Sequence, residues 1–419
     1  TLENLSVKQG EGFMIARGTA DLNGEVDIEA GARGIDAGFF SALFNSTLET
    51  KGQLNFTAQI TGSVKNPHTA LSLEVIDGSV ANAGFDKLFG LFIMEKGSIH
   101  VNQLLLSKGP YRASAYGVVP LAALNPEGRR QATAADQMDL TFRLDQANLS
   151  ILPVMSKHIA WASGETKGEI KVTGNLLQPL LHGQITVADG AVKFFDLAEP
   201  IQKVAVDIRF QDDKILEHTF EGKVGEGTYR LTGDAFLREL GVHNYDMKLL
   251  LDKVTITHKY FQGPVQGELR LSQVDNKPHF GGKLLFSKTT VNIPPVLPSG
   301  KGPTMDIGLD VELIMGDKVR LFNPMLYDIW VTGRIHFGGS LDEPDVAGKV
   351  EAIRGSLNYL RTQFSISEAS AAFTQYRSFE PVIVLKASTR LEQTTVYLDV
   401  SGPVSGMDVK LTSEPALSQ

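Results

Sequence analysis

The chain has 419 residues, 42% of them hydrophobic, with 40 basic residues against 48 acidic ones for a net charge of −8. That composition excludes a disordered tail and a membrane-embedded bundle, and the lack of a basic stripe argues against a nucleic-acid footprint. Cys is absent, which excludes disulfides and thiolate metal sites, and 41 Gly without a triplet period suit many short strands joined by tight turns.

Residues 1–35 read as strands that complete an upstream β unit. No signal peptide opens the chain, and apolar runs such as Phe89 to Met94 are too short to cross a bilayer. The sequence therefore reads as a soluble piece of something anchored elsewhere. Residues 36–148 form one repeat unit. In it Asp36 caps a short helix with an apolar stripe of Phe39, Phe40, Leu43 and Phe44. Phe85, Leu88, Phe89 and Phe92 offer a second helix, weakened by Gly90. Pro120 to Ala135 reads as an exposed loop, and Leu140, Phe142 and Leu144 then alternate as a strand.

Residues 149–250 form a second unit with the same opening, in which Leu149, Leu152 and Met155 mark a short helix disturbed by Pro153. Next, Ile170 and Val172 point one way while Glu169 and Lys171 point the other. Residues 251–419 are nearly all strand, interrupted by a Pro- and Gly-rich break from Pro294 to Pro303. Ile307, Leu309, Val311 and Leu313 alternate, as do Val396, Leu398 and Val400. One face of such a sheet is greasy and the other wet.

An internal repeat organises these strands. Gly168, Pro179 and Gly190 are spaced by 11 residues, and so are Gly333, Pro344 and Gly355. Gly267 and Pro278 keep the first interval with Thr289 in the next glycine's place, and Gly52, Pro67 and Gly78 give a looser copy. The physical reading is a hairpin unit with proline in the turn and glycine relieving crowding where the chain re-enters the sheet. Recurrence of one hairpin predicts a sheet extended by stacking rungs, with a large sandwich as the alternative.

Chemistry leaves no local trace. No two of the nine histidines lie closer than 15 residues, and no HExxH, phosphate loop, dinucleotide fingerprint or GxSxG elbow occurs. Asp212 and Asp213 sit in a QDDK stretch that reads as a hairpin tip. The chain is expected to be no enzyme, with no catalytic residue, metal or cofactor.

The run Gly348-Lys349-Val350-Glu351-Ala352-Ile353-Arg354-Gly355-Ser356-Leu357-Asn358-Tyr359-Leu360 is followed by Phe364-Ser365-Ile366 and Ala372-Phe373. Pro381 to Ala387, the strand Val396 to Val400, Gly402 and Leu411-Thr412-Ser413-Glu414-Pro415 complete the order. This stretch resembles the C-terminal domain of the TamB family, the inner-membrane subunit of the translocation and assembly module. The upstream units are similar to repeats shared with its AsmA-like relatives among bridge-like lipid-transfer proteins.

The resemblance implies an all-β fold: an elongated, curled, antiparallel-rich sheet forming an open trough with a hydrophobic interior and a few short helices. It implies residence in the periplasm of a diderm bacterium, as part of a protein anchored in the inner membrane. It also implies phospholipid and an Omp85-class outer-membrane barrel, TamA-like or BamA-like, as partners. The groove lining is then expected to include Ile170, Val172, Ile185, Val187, Leu309, Val311, Leu313, Val396 and Leu398. A partner-facing end would comprise Pro381, Val382, Val384, Leu411 and Pro415. The alternative is a chaperone or scaffold that templates barrel or autotransporter strands through its C-terminal edge. A closed structural β-protein is a third reading.

Overall fold

The computed structural model describes residues 2–21, 24–38, 50–80, 83–124, 131–149, 152–155, 158–195, 197–238, 241–258, 260–274, 277–292, 307–340, 343–374 and 380–416. They are nearly all β-strand, and the strands group into two compact units. The first comprises Thr1–Phe195, Lys203–Thr219 and Asp234–His243; the second comprises Asp196–Gln202, Phe220–Gly233 and Asn244–Gln419.

In the first unit eleven strands follow one another as an antiparallel meander. They are β1 (Leu2–Gln9), β2 (Gly12–Ala20), β3 (Glu25–Asp36), β4 (Thr50–Ser63), β5 (Asn66–Val80), β6 (Ala83–Glu95), β7 (Ser98–Lys108), β8 (Tyr111–Pro120), β9 (Gln137–Asn148), β10 (Ile159–Asn175) and β11 (Gln178–Phe194). A helical turn, α1 (Leu152–Met155), touches both β10 and β6, so the sheet curves enough for one turn to reach strands that are not neighbours. Its Pro153 lies in the first turn, where no intrahelical donor is lost. β12 (Ile201–Asp212), β13 (Lys214–Val224) and β14 (Gly227–Arg238) follow in sequence.

The second unit contains β15 (Gly241–His258) from Asn244 onward, β16 (Phe261–Val274), β17 (Lys277–Phe286) and β18 (Thr290–Val291). It continues with β19 (Gly308–Asn323), β20 (Tyr327–Gly339), β21 (Pro344–Tyr359), β22 (Thr362–Phe373), β23 (Val382–Leu391), β24 (Thr394–Pro403) and β25 (Asp408–Glu414). All its neighbours are antiparallel except at one place: β17 and β18 both run parallel to β19 while pairing antiparallel with β16.

Three expectations are corrected or confined. The helix expected at Phe85, Leu88, Phe89 and Phe92 is instead strand β6, paired with β5 along its length and with β7 from Lys87 onward. The helical spacing arises because this strand is apolar on both faces, and Gly90 weakens the helix that would compete. Asp36 does cap, since its Oδ1 accepts the Gly38 N–H at 2.6 Å, but the stripe from Phe39 to Phe44 lies outside the described residues, as does the break from Pro294 to Pro303. The repeat prolines are the first or second residues of their strands, not turn residues: Pro67 faces Gly62, Pro179 faces Gly174 and Pro344 faces Gly339. Next to a turn the missing proline N–H interrupts the ladder least.

Two devices bend these strands. The first is a β-bulge whose leading residue is left-handed: Asp77, Asp189, Lys253 and Lys318 have φ of 49°, 49°, 51° and 58°. Each bulge shifts the register and turns the following residue inward, so Gly78, Gly190, Val254 and Val319 are buried. The second is close backbone approach at glycine. A Cβ on Gly52 would lie 2.7 Å from Gly78 Cα, on Gly164 2.6 Å from Gly190 Cα, and on Gly263 2.8 Å from Thr289 Cα.

Candidate functional site

Cross-strand register turns the alternation into rows. In the first unit Leu5, Ala16, Ala30, Ala58, Leu71, Phe92, Val101, Gly117, Leu140, Val172 and Leu181 are successive partners from β1 to β11. The row beside it is Val7, Met14, Ala32, Phe56, Leu73, Gly90, Leu104, Ala115, Phe142, Ile170 and Gly183. A third begins at Ile35 and runs through Leu54, Val75, Leu88, Leu106, Ala113, Leu144 and Gly168 to Ile185. No polar side chain interrupts any of the three.

The second unit repeats the arrangement. Leu249, Leu269, Gly282, Val311, Phe337 and Val346 form one row, and Leu251, Gly267, Leu284, Leu313, Ile335, Gly348 and Phe373 the next. Val254, Val265, Phe286, Met315, Gly333, Val350, Ala371 and Ile383 continue a third. The parallel pairing of β17 with β19 does not break the rows, because Phe280 meets Leu309 and Leu284 meets Leu313 in register.

The opposite face is polar and locally neutral. Arg17 pairs with Glu29 at 2.6 Å, Arg143 with Glu169 at 2.6 Å, Lys248 with Glu268 at 2.7 Å and Lys283 with Glu312 at 2.8 Å. A hydrogen bond from Arg270 holds the Asp246 carboxyl below its ordinary range, and one from Arg320 does the same for Asp328. A recess of ≈ 910 Å³ opens on this polar face, where Arg17, Glu29, Gln59 and Ser72 meet Ile15, Leu91 and Ile93. It is confined to β1–β7, whereas the apolar rows cross every strand of the first meander, so the rows make the stronger site.

All nine expected lining residues are strand residues, and Ile170, Val172 and Ile185 occupy three adjacent rows. Val187 pairs with Thr166 one step further along the strand. Their exposure divides them. Ile170, Ile185, Leu309, Val311, Leu313 and Val396 are half-buried and can touch a guest, whereas Val172 and Val187 are buried by their neighbours. Leu398 is 1% exposed, sealed by Phe364 and Ala387, and acts as core at that point. The most open apolar side chain in the middle of the first unit's rows is Phe142, 40% exposed, whose alternation with its neighbours marks it in sequence only as a strand residue.

The expected partner-facing residues do not form one edge. Val382 and Val384 belong to β23, which is paired on both sides, by β22 and β24. Pro381 precedes that strand, and Pro415 follows β25. Among the described residues β25 pairs with β24 alone, and its exposed Val409 and Leu411 extend the row positions of Val400 and Leu398. The described residues contain no cluster of three or more groups able to hold a metal ion, and no helix long and apolar enough to cross a membrane.

Comparison with known proteins agrees with this geometry. Residues 217–419 match the family model described as TamB C-terminal domain. Over 370 residues the chain is 20% identical to Protein TIC236, chloroplastic, of Arabidopsis thaliana, covering 86% of this chain and 15% of that protein. The chain thus spans about a seventh of the length of this curated relative.

Proposed function

We propose that the apolar face of this chain, whose residues 217–419 belong to the TamB C-terminal domain family, holds phospholipid acyl chains and lets them pass from strand to strand towards the outer membrane. The observation that carries this reading is the row. On that face an apolar residue on any of eleven consecutive strands is flanked by another apolar residue. Exposing a methylene to water costs about 0.8 kcal/mol, so an acyl chain that steps along such a row avoids that barrier at each strand. The headgroup remains in water at the open side. No bond is made or broken in this account, and it calls for no cofactor.

Family membership supports a role in building the cell envelope, with this portion in the periplasm and an inner-membrane anchor carried elsewhere in the full-length protein. The test is native mass spectrometry with lipid extraction. Wild type is expected to retain phospholipid; Ile170→Asp and Val311→Asp, checked for folding by circular dichroism, are expected to lose most of it. Lys171→Asp, on the polar face, is expected to keep it. Folded wild-type protein without lipid would refute the reading.

A second reading rests on the edge of β25. Its exposed Val409 and Leu411, and the side left unpaired among the described residues, suit strand addition by an Omp85-class barrel or a client strand. Proline substitution at Val409 would then abolish partner capture while leaving lipid retention unchanged.

A further inference from the structure

The ends of β15, β19, β21 and β23 lie on one rim of the second unit, because β17 and β19 are parallel and the other neighbours antiparallel. Turns on a rim are ordinarily polar. Here three successive hairpins present apolar side chains: Met325 and Leu326 between β19 and β20, Leu360 between β21 and β22, and Leu391 beside the turn between β23 and β24. Met325, Leu360 and Leu391 are 79%, 74% and 50% exposed.

The backbone holds them out. Leu360 and Arg361 are both left-handed, φ 50° and 64°, in a two-residue turn where Asn-Gly is the favoured pair. A leucine and an arginine there oppose local preference, which points to a role for their side chains. Asn323 Oδ1 accepts the Met325 N–H at 3.0 Å, while Asn358 donates from its backbone N–H to Leu326 O at 2.8 Å and from Nδ2 to Met325 O at 3.2 Å. The first turn is therefore braced against the end of β21, and the exposure of Met325 and Leu360 shows that both stand off the sheet.

Basic groups accompany the tips. Arg361 shares the turn with Leu360 and makes no ion pair among the described residues, while Leu391 lies between Arg390 and Glu392. Further back on the polar face the Trp330 ring lies between two guanidinium groups, Arg354 at 5.1 Å and Arg320 at 5.9 Å. On the opposite rim Val404 and Met407 are exposed, but the Glu380 carboxylate accepts the Ser405 N–H between them and Asp408 follows Met407. Apolar tips backed by arginine and an interfacial aromatic match the layering of a bilayer, where acyl chains lie beneath phosphates.

We propose that this rim of the second unit docks on a phospholipid bilayer, with Met325, Leu360 and Leu391 in the acyl layer and Arg361 and Arg390 at the phosphates. This docking edge is distinct from the apolar face, and stands whether or not that face carries lipid.

The chain has no cysteine, so Met325→Cys, Leu360→Cys and, on the opposite rim, Glu343→Cys can each carry one environment-sensitive dye. They are titrated with vesicles of phosphatidylethanolamine and phosphatidylglycerol. The expected result is a blue shift at Met325→Cys and Leu360→Cys and none at Glu343→Cys. In the Met325→Cys background, Leu391→Asp should weaken partitioning by about tenfold or more. Arg361→Glu should weaken it most at low salt. Circular dichroism confirms that each variant folds. No shift at either tip, an equal shift on both rims, or partitioning unmoved by Leu391→Asp and Arg361→Glu would overturn the proposal. Val311→Asp separates the two readings, since it should remove lipid from the apolar face while leaving the tip response intact.

Discussion

Gly333 lies on the apolar face with φ +149°, and a Cβ there would sit 2.2 Å from the carbonyl oxygen of Lys349 on the next strand. Gly333→Ala is expected to lower stability by about 2–4 kcal/mol, through left-handed strain and backbone collision. Gly406→Ala, with nothing within 4 Å of its Cβ position, should be close to neutral in the same urea titration. His218 is 2% exposed, and burial holds its imidazole below the ordinary range while Asp234 pulls the other way. A depressed folded value means that the unfolded chain binds the proton more readily. The contribution of His218 is therefore present above about pH 6.5 and lost as pH falls. Melting curves between about pH 7 and pH 5 should show wild type losing stability on acidification, with His218→Leu losing less. Alternation of Ile170 with Lys171, or Val311 with Asp310, was legible because side-chain direction in a strand follows sequence parity. Which of these residues stay open was not legible, because Val172 and Leu398 are covered by side chains from other strands.

The recurrent element is the bulged hairpin, and its sequence signature is only half visible as glycine and proline spacing. The structural pairs are residues 52 with 78, 164 with 190 and 263 with 289, each 26 apart. Gly164 and Gly263 precede the glycines at 168 and 267 that carried the 11-residue interval, so the sequence pattern marked the right hairpins through the wrong partners. The residue leading each bulge is Asp or Lys where left-handed geometry favours glycine. Lys318→Gly is accordingly expected to stabilise by about 0.5–1 kcal/mol, and Lys318→Val to destabilise by more than about 1 kcal/mol, in a denaturant titration. Strand β6 misleads for a related reason: Phe85, Leu88, Phe89 and Phe92 fit a helical stripe, yet β5 offers partners along its length and β7 from Lys87 onward. The parallel pairing of β17 with β19 has no local signal, because register across a crossover is set by strands far apart in sequence.

One principle recurs in each unit: apolar side chains share one face, charged side chains share the other, and ladder hydrogen bonds join neighbouring strands from β1 to β11 and from β15 to β25 within the two units. The exposed ion pairs of the polar face contribute about 0–1 kcal/mol each, so they serve solubility and register more than stability. The TamB-like order of the last residues was readable as a long ordered run, and the match over residues 217–419 agrees with it. What no run of sequence could display is that the rows stay aligned through successive strands, since this depends on every bulge and register shift together. Site-specific photo-crosslinking to phospholipid decides whether the apolar face holds acyl chains, with the photoreactive residue placed at Phe142, Ile170 or Val311 and, as neighbours, at Lys171 or Asp310. Crosslinks at the first three positions and none at the other two are the expected result. Crosslinks that ignore this alternation, or that occur on neither face, would show that the apolar rows do not carry acyl chains.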